Sequence, residues 1–195
     1  MSDVLTGRFG TAEQYRRYGE VIDAKDRTLK GKVMAKLVKE NFIPAMFWLG
    51  CRYMNENADQ FGFPQVNCLD YDDISYMFEK NPNYIKGVKL LKRAVDKGYI
   101  LAYPELAFAY SNGSGVKKNP KTALSLLNDA ISCYRSAEID EKYKNEFGAR
   151  LYTEMGDIYH REYDDSGRAQ LCYENALSVD ADYLPAVWGL DNLKR

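Results

Sequence analysis

The sequence predicts an all-α fold, an α-solenoid of stacked helix-turn-helix hairpins, and three observations carry this prediction. Apolar and small residues recur at helical spacing within short segments, as in the stretch that begins at Ala102. These segments come in pairs separated by turns rich in glycine or polar residues. The pairs also repeat along the chain, since 90–94 (LLKRA) and 126–130 (LLNDA) match at the same place in successive hairpins.

The clearest hairpin occupies residues 102–131. Its first helix is predicted to end at Asn112-Gly113-Ser114-Gly115, where both glycines accept a positive φ without steric cost. Asn119-Pro120 restarts the helical conformation, because Asn is a favourable N-cap and Pro a favourable first helical residue. The second helix carries small and apolar residues along one face, at Ala123, Leu126, Leu127 and Ala130.

The same pattern divides the whole chain into four hairpins, this one included, and a closing helix within a single domain, residues 1–195. The predicted repeats span about 11–42, 43–98, 99–135 and 141–179, and the closing helix spans 183–195. Gly50, Ala107 and Gly156 occupy equivalent points in three of the first helices. We expect paired helices to approach closely there, because each hairpin needs its neighbours to bury its apolar face.

These residues resemble the Sel-like repeat family, a branch of the tetratricopeptide repeat (TPR-like) class. The family pattern runs A-x-x-x-L-G-x-x-Y, then G-x-G-V, then D-x-x-K-A. Residues 45–53 (AMFWLGCRY) match its first part and residues 113–116 (GSGV) its second, with Asn119 and Thr122 in place of Asp and Lys. The resemblance implies an α-solenoid fold and a role in protein binding.

The second repeat contains an insertion, residues 55–82. The stretch from Ala45 to Ala102 exceeds the repeat spacing from Ala94 to Ala130 by about 21 residues, and insertions in solenoids map to loops that are often functional. The insertion holds six acidic residues, one lysine and five aromatic residues. We predict a lobe that packs through its rings and presents carboxylates to a basic partner, with a structural cap on the hairpin as the alternative.

Composition excludes several classes of function. The 195 residues are 46% apolar, and 27 basic residues against 28 acidic ones leave a net charge of -1, so no global field attracts nucleic acid or anionic lipid. No apolar stretch is long enough to cross a bilayer, which predicts a soluble, cytoplasmic protein without a membrane partner. Four cysteines without a C-x-x-C pair, and one histidine, predict reduced thiols and neither metal nor cofactor.

Two groups of residues suggest other activities. His160 near Asp157 and Glu162 is the closest approach to an acid-base constellation, but no nucleophile lies beside a base in the sequence, so the prediction is a non-enzyme with a weak hydrolase as an alternative. Lysines and arginine within 86–121 form a basic patch that suits nucleic acid or an acidic partner. Second helices form the outer wall of a solenoid, where a solvated charged face is ordinary, so we do not expect a nucleic-acid partner.

The predicted function is therefore a non-enzymatic adaptor or scaffold that binds a protein or peptide through the concave face and the insertion. A narrower alternative is an immunity or inhibitor protein that masks a basic toxin. Aromatic residues, Met and Arg are typical of interface anchors, although Phe47, Trp48 and Phe108 also suit packing between helices. The oligomeric state stays open. The predicted binding residues are Phe47, Trp48, Met54, Asn55, Phe61, Phe63, Asp72, Asp73, Glu105, Phe108, Asn112, Arg150, Asp157, His160 and Arg161.

Overall fold

The computed structural model of the chain describes residues 9–60, 79–137 and 139–194. The chain divides into two compact units, Met1–Asn119 and Pro120–Arg195, called unit one and unit two below. All regular secondary structure among the described residues is helical. The predicted fold class, all-α with helix hairpins as the building block, is confirmed. The single domain and the repeat boundaries stay predictions.

The described helices are numbered in chain order. Those of unit one are α1 (Ala12–Ile22), α2 (Arg27–Lys39), α3 (Ile43–Gln60), α4 (Pro82–Asp96) and α5 (Ala102–Asn112). Those of unit two are α6 (Pro120–Cys133), a 3-10 turn (Tyr134–Ser136), α7 (Glu141–Tyr163), α8 (Ser166–Val179) and α9 (Leu184–Asn192). No helix in the described ranges combines the length and the apolar character that a membrane crossing requires.

Local capping signals set several helix ends. The Asp26 carboxylate accepts hydrogen bonds from the backbone N–H groups of Thr28 and Leu29 at 2.8 and 3.0 Å, which satisfies two donors that α2 leaves unpaired. Asn81 caps α4 in the same way, immediately before Pro82. Gly113 ends α5 in the left-handed conformation with φ of 75°, as the glycine-rich turn predicts.

The core of unit one joins α1, α2 and α3. The fully buried Phe42 ring lies edge-on to Tyr15 and Tyr18, with centroid distances of 5.0 and 5.5 Å. Helix α3 then packs against α4 where Gly50 lies. A side chain there would have its Cβ 3.1 Å from Leu91 and 3.3 Å from the Gly87 carbonyl oxygen, so the small residue permits the close approach.

The core of unit two joins α7, α8 and α9 around Tyr173, which is 2% exposed. Alanines surround it, one or more from each of the three helices: Ala149, Ala169, Ala176 and Ala186. Because these side chains are small, the three helices lie close together around one large ring. This packing positions the groove described next.

Candidate functional site

An open groove of about 390 Å³ lies on unit two, lined by α7, α8 and α9. Helix α7 contributes Thr153, Asp157, His160 and Arg161, and α8 contributes Tyr173. Helix α9 contributes Pro185, Trp188, Gly189 and Asn192. Pockets that bind small molecules or side chains typically enclose about 300–1,000 Å³, so the groove is large enough for one or two side chains of a partner.

Tyr173 forms the base of the groove, and two glycines let the backbone reach its ring. A Cβ atom at Gly156 would lie 2.6 Å from the Tyr173 Cε1 atom, and a Cβ atom at Gly189 would lie 2.6 Å from the same atom. Carbon atoms in favourable contact are about 3.5–4.0 Å apart, so neither position has room for a side chain. The glycines on α7 and α9 therefore determine how closely both helices approach Tyr173.

The hydroxyl of Tyr173 fixes a carboxylate at the groove. Tyr173 Oη donates a hydrogen bond of 2.8 Å to Asp157 Oδ1. Burial raises the pKa of Tyr173 above its ordinary value, and this bond to the neighbouring carboxylate raises it further. The hydroxyl thus stays protonated at neutral pH and acts as a donor that orients Asp157.

Asp157 itself has a pKa raised above the ordinary value for aspartate. Partial burial is the largest cause, while the Tyr173 hydrogen bond and the charges of Arg161 and His160 act in the opposite direction. The residue as a whole is exposed, so solvent reaches part of it, while its Oδ1 atom accepts the hydrogen bond from the buried Tyr173. A carboxylate in this setting gains from an additional cationic partner.

The basic residues of α7 that line the groove, Arg161 and His160, differ in their surroundings. Arg161 Nε donates to Glu162 Oε1 at 2.8 Å, so its charge is already paired. His160 is exposed and lines the groove. The described residues hold no cluster of three or more His, Cys, Asp or Glu side chains that suits a metal ion.

Trp188 is the feature of the groove that sequence reasoning missed. Its side chain is 61% exposed, and Leu184, one turn earlier on α9, is 57% exposed, while Ala186 between them is fully buried. The signal was present as two large apolar residues four positions apart, opposite to a small one. Because the pattern predicts 183–195 as a closing helix alone, it assigns no role to the exposed face of that helix.

Comparisons with known proteins give two similar solved structures. One is a Sel1 repeat protein from Oxalobacter formigenes, whose sequence is 16% identical. The match covers 89% of this chain and 70% of that protein's chain, with a TM-score of 0.38. The other is a protective antigen of uropathogenic Escherichia coli displaying an SLR fold, whose sequence is also 16% identical. The match covers 90% of this chain and 50% of that protein's chain, with a TM-score of 0.25. Both are repeat structures of the class that the sequence resembles.

No family model matches the chain, and no curated protein matches it. At TM-scores this low, the assignment of the fold depends on the chain's own helices. The similarity carries no information about a ligand or a reaction.

Three of the predicted binding residues lie together in the groove: Asp157, His160 and Arg161. Arg150 lies on α7 outside the groove lining, and its Nε donates to Glu154 Oε1 at 2.6 Å. The predicted residues of α7 therefore divide into a group that lines the groove and one intrahelical ion pair.

The predicted residues of α3 take part in packing within unit one. The Phe47 ring lies 5.3 Å from that of Tyr99, and Trp48 packs against the core of α1, α2 and α3 beneath Arg52. Met54 lies where a side chain at Gly87 would stand, with its sulfur 3.0 Å from an ideal Cβ, whereas Asn55 is exposed. Their roles in binding stay a prediction.

Phe108 is the exposed aromatic residue among those predicted on α5, with 56% of its surface accessible. Glu105 and Asn112 are half-buried, and Asn112 Nδ2 donates to the Phe108 carbonyl oxygen at 3.0 Å. Phe108 therefore presents a second apolar surface, on unit one. The insertion residues Phe61, Phe63, Asp72 and Asp73 lie outside the described residues.

The part of the basic patch that lies on α4 is engaged with other residues of unit one. The Lys86 ammonium lies 5.8 Å from the Tyr53 ring centroid, and the Lys92 ammonium lies 5.3 Å from that of Tyr110. Arg93 donates to Asn41 Oδ1 at 2.8 Å, which joins α4 to the turn before α3. Lys89, Lys97, Lys117 and Lys121 are exposed.

Proposed function

We propose that this protein is a non-enzymatic binding module that holds a segment of another protein in the groove of unit two. The observation that carries the proposal is the exposed indole of Trp188 at a groove that also contains Asp157, His160 and Asn192. Tryptophan is among the residues that contribute most to protein interfaces when a partner covers it. A large exposed apolar side chain beside polar groups is typical of such a site.

The hydroxyl groups of the groove support binding over catalysis. Thr153 is 5% exposed, and its hydroxyl donates to the Ala149 carbonyl oxygen at 2.9 Å. The Tyr173 hydroxyl is bonded to Asp157. The Thr153 hydroxyl is buried and bonded to a backbone carbonyl, which cannot act as a general base. The Tyr173 side chain is 2% exposed and its pKa is raised by burial, so neither hydroxyl is suited to act as a nucleophile.

Site-specific photo-crosslinking tests the proposal. A photoreactive phenylalanine analogue replaces Trp188 in one variant and Leu171 in a matched control, since Leu171 is 57% exposed on α8 but does not line the groove. Each variant is irradiated in cells that express the full chain, and the products are separated by mass. We expect a discrete crosslinked protein from position 188 that is absent from position 171.

Competition for the crosslink by two unlabelled alanine variants provides a second test. Unlabelled wild-type protein and the Leu171→Ala variant should both suppress the crosslink at position 188, whereas Trp188→Ala should suppress it at least tenfold less. Equal crosslinking from positions 188 and 171, or equal competition by both alanine variants, would refute the groove as the binding site.

A further inference from the structure

We propose that the groove recognises an arginine side chain of a basic partner segment, with the guanidinium group paired to Asp157 and stacked on the indole of Trp188. This inference rests on the proposed function and names the chemistry of the occupant. Both contact residues line the same groove, one on α7 and one on α9.

Asp157 has one carboxylate oxygen available to a ligand. Its Oδ1 atom accepts the hydrogen bond from Tyr173 at 2.8 Å, which fixes the orientation of the group. Among the described residues, no hydrogen bond to Oδ2 is made. An arginine guanidinium carries five donors in a planar fork that matches carboxylate geometry, so Oδ2 with its anchored neighbour forms a suitable acceptor.

The other charged groups around Asp157 compensate its charge only in part. On α7, Arg161 is paired with Glu162 at 2.8 Å, and His160 is exposed to solvent. On α8 and α9, the facing groups are the protonated Tyr173 and the uncharged Trp188 and Asn192. Partial burial also holds the pKa of Asp157 above its ordinary value, so an incoming cation relieves the cost of the charged form.

Trp188 provides the second half of the recognition. Its side chain is 61% exposed at the groove, and tryptophan is the aromatic residue that attracts a cation most strongly. Guanidinium is planar and less strongly hydrated than ammonium, so it stacks on the indole while it pairs with a carboxylate. These two requirements together favour arginine over lysine.

The charge of the surrounding sequence agrees with a basic occupant. Residues 136–195 contain 13 acidic and 7 basic residues, a net charge of -6. A surface of this sign raises the association rate of a positively charged partner and disfavours an acidic one. Charge complementarity therefore selects a basic segment, and the groove selects the arginine within it.

Nuclear magnetic resonance on the full chain tests the proposal directly. The protein contains two tryptophans, so a ¹⁵N spectrum shows two indole N–H signals, and Trp48, which packs against the core of unit one, serves as the internal reference. The probe is the capped tripeptide acetyl-Ala-Arg-Ala-amide. Its analogues with citrulline, an uncharged relative of arginine of nearly the same shape, and with lysine are titrated in parallel.

The matched protein variants are Asp157→Asn and Glu174→Gln. The first keeps an oxygen acceptor for Tyr173 but removes the charge, and the second makes the same charge change on α8 outside the groove lining, where Glu174 accepts from Gln170 at 2.8 Å. We expect the arginine peptide to shift the Trp188 signal, with affinity at least tenfold lower for Asp157→Asn and within twofold for Glu174→Gln. The citrulline and lysine peptides should bind the wild type at least tenfold and threefold more weakly, respectively.

Three results would overturn the inference: equal binding of the citrulline peptide, equal binding of the lysine peptide, or equal effects of the two variants. The peptide comparison uses the wild-type chain, so it decides the question even if Asp157→Asn does not fold. Crosslinking at position 188 distinguishes a failure of arginine recognition from a failure of the proposed function. A partner captured there without arginine-peptide binding overturns this inference alone, whereas the loss of both results overturns the proposed function as well.

Discussion

Replacing Gly156 with alanine tests how tightly Tyr173 is held between α7 and α9. The new methyl group would lie 2.6 Å from Tyr173 Cε1 and 2.8 Å from Cδ1. Because favourable carbon contacts lie at about 3.5–4.0 Å, the ring must retreat by about 1 Å. Its retreat is opposed by Gly189, where α9 approaches the same ring edge, and by the 2.8 Å hydrogen bond to Asp157.

Three contributions determine the expected change in the free energy of unfolding. Overpacking of a rigid site costs about 1–3 kcal/mol. Weakening of the Tyr173 hydrogen bond adds about 1 kcal/mol. In the opposite direction, alanine in a helix interior is about 1 kcal/mol more stabilising than glycine. The net expectation is a loss of about 2 kcal/mol in the free energy of unfolding, and Gly156→Leu should lose at least as much.

Urea denaturation provides the assay, followed by circular dichroism for helix content and by tryptophan fluorescence. The control is Gly167→Ala, in the first turn of α8 in the same unit, where an added Cβ meets its nearest neighbour at an ordinary 3.7 Å. That variant should be unchanged or more stable by up to about 1 kcal/mol. If Gly156→Ala matches Gly167→Ala, the ring has room to move and the close packing argued for unit two is wrong.

Three further predictions concern other features of the chain. Tyr173→Phe should lower the free energy of unfolding by about 1 kcal/mol in the same assay, because the hydrogen bond to Asp157 is lost while the carboxylate keeps access to water; an unchanged value contradicts this. Iodoacetamide at pH 8 should label exposed Cys133 at least tenfold faster than Cys172, since burial raises the pKa of Cys172 to about 11; peptide mapping that finds equal rates contradicts the burial. Replacing residues 61–79 by a short glycine-containing turn should preserve helicity, because the closure entropies differ by only about 1–2 kcal/mol, yet weaken partner crosslinking; unfolding would instead identify the insertion as a structural cap.

Helix positions could be predicted from the sequence because their signals act over a few residues. Asp26 caps α2, Asn81-Pro82 starts α4 and Gly113 ends α5 through bonds or dihedral angles confined to the adjacent turn. A Gly50 or Gly156 position can likewise be inferred from the repeat pattern. The pattern does not say which side chain packs against each glycine. In the structure it is Leu91 at Gly50 and Tyr173 at Gly156.

The candidate site was only partly accessible to sequence reasoning because its parts belong to distant segments. The helical spacing of 157, 160 and 161 places them on one face, but a groove needs a second wall. That wall is α9, and its position depends on the contact between Gly189 and the Tyr173 ring on the preceding helix. For Trp48 the sequence leaves two roles open, because an aromatic residue on a helix face suits either binding or packing. The structure shows that Trp48 packs against the core of unit one, and it does not test a role in binding.

Tyr173 couples the stability of unit two to the chemistry proposed for its groove. Its ring fills the space between Gly156 and Gly189, and its hydroxyl fixes the carboxylate of Asp157. A substitution at either glycine therefore displaces the ring and the carboxylate together, so a loss of binding in such a variant does not identify a contact residue. Asp157→Asn separates the two effects, because it retains the acceptor that holds the Tyr173 hydroxyl and removes only the charge that a cationic ligand would pair with.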